Sequence, residues 1–351
     1  MITKSRREWF GAVVYSEHPG MTAFVDHRRA DYLDIPRRGN LPEGFFSAPL
    51  DVHVSITNRC NLHCPGCYAR NDRLPAGDMP VERAKRILDR LAAMDVFTVA
   101  FGGGEPLLHP DVFEIARYAR DHTVVPNITT NGLCIDGPTA EQCRVFGSIH
   151  LSCHHPSELD RLAHAVRFLR EANVHPGLNV LVSADTVEHL PEIARWCRRH
   201  RVTRALFLKF KVTRNNGCRR ASLLSPEQER ELLPVIRRAA RRNGLMPMLD
   251  CSLFPALAMH RPSRRHLALF DVNGCQGANA YAAVTTEGMV KACSFCDSAL
   301  GGIELLDRDK WIGCREAEAF REFRRQPRCG QCNYLDFCNG GCRLCGSPCD
   351  E

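Results

Sequence analysis

Residues 60–68 read CNLHCPGCY, with thiols at Cys60, Cys64 and Cys67 and no further cysteine until position 134. Three thiolates so spaced can hold three irons of a [4Fe–4S] cube and leave the fourth iron open. An open coordination position is where a substrate or cofactor meets a metal. Zinc is the competing occupant. His63 lies inside the loop, Cys64 and Cys67 form a C-x2-C pair, and Cys3His is an ordinary zinc set.

A second group of cysteines lies near the other end. Cys275 is followed after twelve residues by Gly288 and after four more by Cys293, and residues 329–342 read CGQCNYLDFCNGGC, with Cys345 and Cys349 beyond. Ten of the 19 cysteines fall after residue 274, which marks off a C-terminal module. The basic stretch MITKSRREWFGAVVYSEHPG is broken by Ser16, Glu17 and His18, too early for a signal-peptide core, and no later run approaches the ~18 apolar residues of a membrane span. The chain therefore reads as cytoplasmic, without a membrane partner. In that compartment thiols stay reduced, so dense cysteine points to metal or cluster ligation rather than a disulfide framework.

The formal charge of +7 comes largely from arginine pairs such as Arg198-Arg199 and Arg241-Arg242. Solvated helix faces account for these. Aromatics are only 7%, which gives no stacking platform for nucleic acid. Thiolate ligands would subtract further: three cubane clusters remove roughly five units, leaving a nearly neutral holoprotein.

Between residues 50 and 245 short apolar runs alternate with amphipathic ones. Strands are expected at 50–56, 97–103, 124–130, 148–153, 178–183 and 205–210. Helices are expected after Asp78, after Ser157 with Asp160 completing a capping box, and after Ser225-Pro226. Six strand–helix units with short links imply a parallel sheet wound in one hand, and six is fewer than the eight of a closed barrel. The expected fold class is α/β, an open partial (β/α)6 barrel over 50–245. Before it, residues 1–49 carry GAVVYS and MTAFVD around a turn, a possible β-hairpin. After it come a connector (246–270) and the cysteine-rich domain (271–351), which opens on a hairpin turning at Glu287-Gly288. The three-cysteine loop follows the first strand, at the end of the sheet where such folds place their chemistry. The second strand ends in GGGEP (102–106), the third in TTNG (129–132) and the fourth in HLSC (150–153).

CNLHCPGC after strand one, with GGEP after strand two, resembles the radical SAM superfamily over roughly residues 50–245, and the C-x3-C-x2-C motif is met without departure. The resemblance implies that Cys60, Cys64 and Cys67 bind a [4Fe–4S] cluster and that S-adenosylmethionine chelates the free iron through its amino and carboxylate groups. Gly103 and Gly104 would admit the methionyl group, Glu105 would neutralise its amino group, and Pro106 would stiffen the turn. Asn131 and Ser152 resemble positions that contact the ribose and carboxylate, with turn or cap residues as the alternative; Asn179 is a weaker match. Tyr68 would pack on the adenine. The family often has an aromatic just before the third cysteine, where this chain has Gly66.

The tail, C-x2-C-x5-C-x3-C preceded by Cys275 and Cys293, resembles the SPASM extension of radical SAM enzymes, which houses two auxiliary [4Fe–4S] clusters. By that pattern Cys275, Cys293 and Cys342 ligate the nearer cluster, and Cys329, Cys332 and Cys338 the outer one, with Cys349 or Cys345 as the outer cluster's last ligand. The nearer cluster's fourth ligand has no counterpart, and Cys251 and Cys296 are the candidates. Where sulfatase-maturing relatives carry a basic Asp, this chain has Ser294, so no catalytic base is assigned, although Asp297 is close. The resemblance implies an enzyme that cleaves S-adenosylmethionine to a 5′-deoxyadenosyl radical and takes hydrogen from a ribosomal peptide or protein side chain. The auxiliary clusters would support a net oxidation or cross-link, and a ferredoxin- or flavodoxin-type protein would supply the reductant. A small-molecule dehydrogenase or epimerase and a non-enzymatic Fe–S electron carrier are the alternatives.

Overall fold

A computed structural model of the chain describes residues 3–18, 20–37, 39, 41–69, 77–213, 216, 220–269, 272–321 and 332–342. At the N-terminus β1 (Thr3–Glu8), β2 (Gly11–Ser16) and β3 (Met21–Asp26) form an antiparallel sheet, with α1 (His27–Tyr32) capped by the Asp26 side chain. Arg6, buried in this sheet, donates to the main-chain oxygens of Ala48 (2.5 Å) and Pro49 (3.0 Å). The carboxylate of Glu8 answers its charge at 2.7 Å.

All six strands expected between residues 50 and 210 form. They are β4 (Asp51–Thr57), β5 (Thr98–Gly103), β6 (Val125–Thr130), β7 (Ser148–Cys153), β8 (Gly177–Val182) and β9 (Arg204–Lys209), pairing in parallel in that order. The helices that cross between them are α2 (Val81–Ala93), α3 (Val112–Asp121), α4 (Gly137–Gln142), α5 (Leu159–Glu171) and α6 (Leu190–His200), and α7 (Pro226–Asn243) follows β9. Strand alternation sorts the side chains onto two faces. One face carries Val52, Val54, Ile56, Val99, Phe101, Ile149, Leu151, Val180 and Phe207, packed into a continuous core with Ile87, Leu91, Ile115, Leu162 and Ile193 of the helices. Each such side chain contributes roughly 1.5–3 kcal/mol on burial. The other face carries Asp51, His53, Asn127, His150, Ser152 and Asn179, all half-buried. The barrel interior is thus polar. Burial pushes Asp51 up to about 6 and His53 down to about 4.

The sheet is longer than expected at both edges. β10 (Met246–Leu249) pairs parallel to β9; four residues with Pro247 at a sheet edge give little sequence signal. At the opposite edge β11 (Tyr281–Val284) turns back on β12 (Val290–Lys291) and β13 (Ala299–Gly301). β11 also pairs parallel to β4, Tyr281 opposite Asp51 and Val284 opposite Val54. Main-chain hydrogen bonds thereby join the C-terminal residues to the strand that precedes the three-cysteine loop.

Of the expected helix starts, only Ser225 forms the full capping box, with Gln228. The box at Ser157 and Asp160 is not made. A 3-10 turn, Pro156–Glu158, intervenes, and His155 accepts the Ser157 amide instead. Asp78 does not cap α2, because its carboxylate takes Thr57 Oγ1 (2.6 Å) and Arg59 (2.7 and 3.0 Å). Farther on, α8 (Phe254–Met259) and α9 (Arg264–Leu269) precede the hairpin, α10 (Arg308–Ile312) and α11 (Arg315–Arg321) follow it, and α12 (Leu335–Cys338) lies in the cysteine module. Among the described residues no helix is long and apolar enough to cross a membrane.

Candidate active site

Glu105 is the fixed point of the barrel mouth. Its carboxylate accepts from Thr130 Oγ1 (2.7 Å) and the amides of Asn131 (2.7 Å) and Leu107 (3.1 Å). Three donors from the ends of β5 and β6 hold it as a carboxylate, while burial, the larger effect, pushes its pKa above the usual range. A cation brought to this group would relieve the cost of burying it. Pro106 opens the 3-10 turn Pro106–Leu108 that Glu105 caps. Gly103 has φ +113°, and a Cβ there would lie 2.2 Å from Thr57 O. The end of β5 itself therefore demands glycine at 103. Gly104 donates its amide to the same oxygen at 2.8 Å.

The three-cysteine loop leaves β4 beside this turn. Cys60, Cys64 and Cys67 are all half-buried. Burial raises the Cys60 thiol, and it pushes Cys64 up to about 11, helped by the neighbouring carboxylate of Glu158 and the other two thiols. Thiols crowded with like charge are poor acids alone, but a bound iron deprotonates its ligands outright, so the donor set fits a cluster. Gly66 has φ +80°, a left-handed conformation that glycine adopts freely, which gives a local reason for the missing aromatic. His63, the residue that made zinc a competitor, is exposed. The histidine that meets Cys64 is His154, with Glu158, the three ligand atoms lying within 4.8 Å of one another.

Asn131 is engaged on every side. Its Nδ2 donates to Asn61 Oδ1 within the cysteine loop (2.7 Å), and its Oδ1 accepts the Leu133 amide (2.9 Å). It thus serves as a turn residue and ties the third strand end to the loop. Ser152 stands opposite Asn179 on β8, half-buried on the polar face. Asn179 Oδ1 meets His150 Nδ1 at 2.6 Å. Cys134, which reads in sequence as one more small core residue, is half-buried at the site's edge, its sulfur 3.7 Å from Asn61 Nδ2. Only its position one turn beyond TTNG hinted at this.

Tyr68 meets the C-terminal module. Its ring lies 4.4 Å, centroid to centroid, from Phe295, which stands two residues after Cys293, and its hydroxyl bonds Ser294. Lys211, just past β9, sits over the same Phe295 ring at 4.4 Å and is ion-paired with Asp250 beyond β10. Cys275, Cys293 and Cys342 are half-buried, Cys296 and Cys338 buried, and Cys332 exposed. Cys293 and Cys296 have their sulfurs 3.5 Å apart. Cys329, Cys345 and Cys349 lie outside the described residues.

Residues 54–206 match the family model of the Radical SAM superfamily. An AdoMet-dependent heme synthase of Methanosarcina barkeri is 26% identical over 326 residues, covering 85% of this chain and 92% of that protein. The mycofactocin maturase MftC of Mycobacterium tuberculosis is 26% identical over 340 residues, covering 88% and 82%. In fold the chain is similar to Streptococcus suis SuiB bound to its precursor peptide SuiA, with a TM-score of 0.78 at 18% identity over 99% of this chain and 96% of that one.

Proposed function

We infer that this chain, which belongs to the radical SAM superfamily, is an enzyme that modifies a peptide or protein side chain by hydrogen abstraction. Cys60, Cys64 and Cys67 would hold the cluster, with S-adenosylmethionine bound beside it. Together these groups would supply the radical that abstracts hydrogen, the organic chemistry being the cofactor's. The chain's own residues bind and orient. Glu105, its carboxylate held by three donors, would receive the cofactor's amino group, and the turn at Gly103–Pro106 sets that carboxylate at the barrel mouth. Ser152 and Asn131 line the adjacent strand ends. A ferredoxin- or flavodoxin-type protein delivers the electron. Cys275, Cys293 and Cys342 hold a nearer auxiliary [4Fe–4S] cluster, and the outer set includes Cys332 and Cys338.

The observation that carries this reading is the three-thiol loop beside an anchored, buried carboxylate at the end of a parallel sheet. The maturase relative, aligned over most of both chains, favours a peptide substrate. The heme synthase relative, equally similar, favours a small molecule as the second reading. Anaerobically reconstituted protein given S-adenosylmethionine and a strong reductant should form 5′-deoxyadenosine, and replacing Cys60, Cys64 and Cys67 together by alanine should abolish it while auxiliary iron remains. Deoxyadenosine at the normal rate from that variant would end the reading. Mass spectrometry of candidate peptides and porphyrins in the same reaction separates the two substrate classes.

A further inference from the structure

The auxiliary-cluster reading leaves one corner of the nearer cube without a ligand, and the fold brings an unassigned thiol to it. Cys251 opens a 3-10 turn at the end of β10, twenty-four residues before Cys275, in a segment with no cysteine pattern of its own. The turn runs into α8, whose Phe254 packs with Leu267 and Cys338, flanked by Leu257, Tyr334 and Phe337. Tyr334 Oη donates to Pro262 O at 2.9 Å. These contacts fix the Cys251 segment against the one that carries Cys342. The Cys275 segment is fixed there too. The Gly274 amide donates to Phe337 O at 2.6 Å, and Asn339 Nδ2 donates to Cys275 O at 3.4 Å. A Cβ on Gly274 would lie 1.8 Å from Cys338 O, so the two strands of chain touch. The segments that carry Cys251, Cys275 and Cys342 therefore meet at α12.

Resting on the auxiliary-cluster reading above, we propose that Cys251 supplies the fourth thiolate of the [4Fe–4S] cluster held by Cys275, Cys293 and Cys342. A cube has four corners, each taking one terminal ligand. Cys251, Cys275, Cys293 and Cys342 come from four separate stretches of chain. Cys296, the other candidate, has its sulfur in contact with that of Cys293 at 3.5 Å, so the two would have to separate before both could reach corners of one cube.

The test compares Cys251→Ser with Cys296→Ser in the full chain, each reconstituted anaerobically and checked for folding by circular dichroism. Wild type should hold roughly twelve irons, as three cubane clusters do. Cys251→Ser should lose at least one iron and show the electron paramagnetic resonance signal of a three-iron cluster, whereas Cys296→Ser should match wild type. Full iron and wild-type spectra in Cys251→Ser overturn the assignment, and so does equal loss in both variants, since a cube has one fourth corner. Should Cys251→Ser not fold, alkylation of the wild-type holoprotein decides. Cys251 blocked until iron is chelated supports the ligand role; Cys251 labelled with iron in place refutes it. A wild-type protein with iron for one cluster only fails at the earlier step and removes the auxiliary cluster itself.

Discussion

The barrel mouth and the C-terminal cysteine module gather thiols by different means. At the mouth the residues around the three-cysteine loop are held by the protein alone: Glu105 by three donors, Gly103 by close contact with β4, Asn131 by bonds to both neighbours. Beneath them lies the large core shared by sheet and helices. Part of the module, from Ala278 to Ala317, shares that core, but the stretch 332–342 has far less. The apolar cluster it joins consists of Phe254, Leu267 and Cys338 with a few half-buried neighbours, and one of the three is itself a proposed ligand. A site built on a rigid sheet can stay formed without its metal, whereas a loop-rich segment with a thin core draws stability from the metal it binds.

The contrast breaks most visibly in product formation. Removing Cys275 and Cys293 together should abolish product while leaving part of the S-adenosylmethionine cleavage, because the Glu105 turn and the three-cysteine loop both lie in the barrel. Deoxyadenosine and product are measured in the same reaction. A folded variant that still makes product at the wild-type rate would show that the nearer cluster has no part in turnover.

Chelation of all iron sharpens the same contrast on the stability side. Hydrogen exchange should accelerate by orders of magnitude at amides of 332–342 and 272–278, and change little in β5–β8, whose opening approaches the global unfolding free energy. Uniform acceleration across both regions would mean that the barrel also depends on metal.

A smaller effect belongs to the barrel alone. Gly103→Ala forces a side chain into φ +113° and toward Thr57 O. Strain of this kind costs about 1–3 kcal/mol per residue. A lowered urea midpoint, in apoprotein as well as holoprotein, is the expected result. An unchanged midpoint would move the reason for this glycine back to the cofactor.

The barrel was legible in sequence because its signals are local and repeated. Each of the six strands is a run of five or more residues with inward and outward positions alternating, and the first four end in motifs that the fold places at one edge. β10 escaped because MPML is short and carries a proline at a sheet edge. β11 was read as one arm of a hairpin, which it is, but its second partner, β4, lies some 230 residues earlier (Tyr281 opposite Asp51), and no local pattern reports a pairing across that distance. The same limit governs the site. Glu105 and the three cysteines stand in motifs. The closeness of Cys134 to the loop and of His154 to Cys64 is set by how separate strands end at one mouth.

The smallest expected effect, that of Tyr68→Phe set against Tyr68→Ala, tests the joint between the two regions. Tyr68 follows Cys67 directly and packs against Phe295, two residues after Cys293, so one aromatic contact spans from the first loop to the nearer auxiliary set. Burial pushes the phenol up to about 12, so it is neutral throughout the physiological range and its removal deletes no charge. Tyr68→Phe keeps the ring pair and loses only the bond to Ser294, a net cost of about 0.5–1.5 kcal/mol. Its deoxyadenosine rate and its ratio of deoxyadenosine to product should stay near wild type. Tyr68→Ala removes the ring as well. Aromatic truncation at a packed site costs about 3–5 kcal/mol, and here the loss falls on the contact that holds the two sites in register. In that variant the ratio of deoxyadenosine to product should rise, because radicals form at a mouth no longer aligned with the module. If the ratio is the same in Tyr68→Ala as in Tyr68→Phe, the ring is packing only, and the register between the two regions rests on the β4–β11 pairing instead.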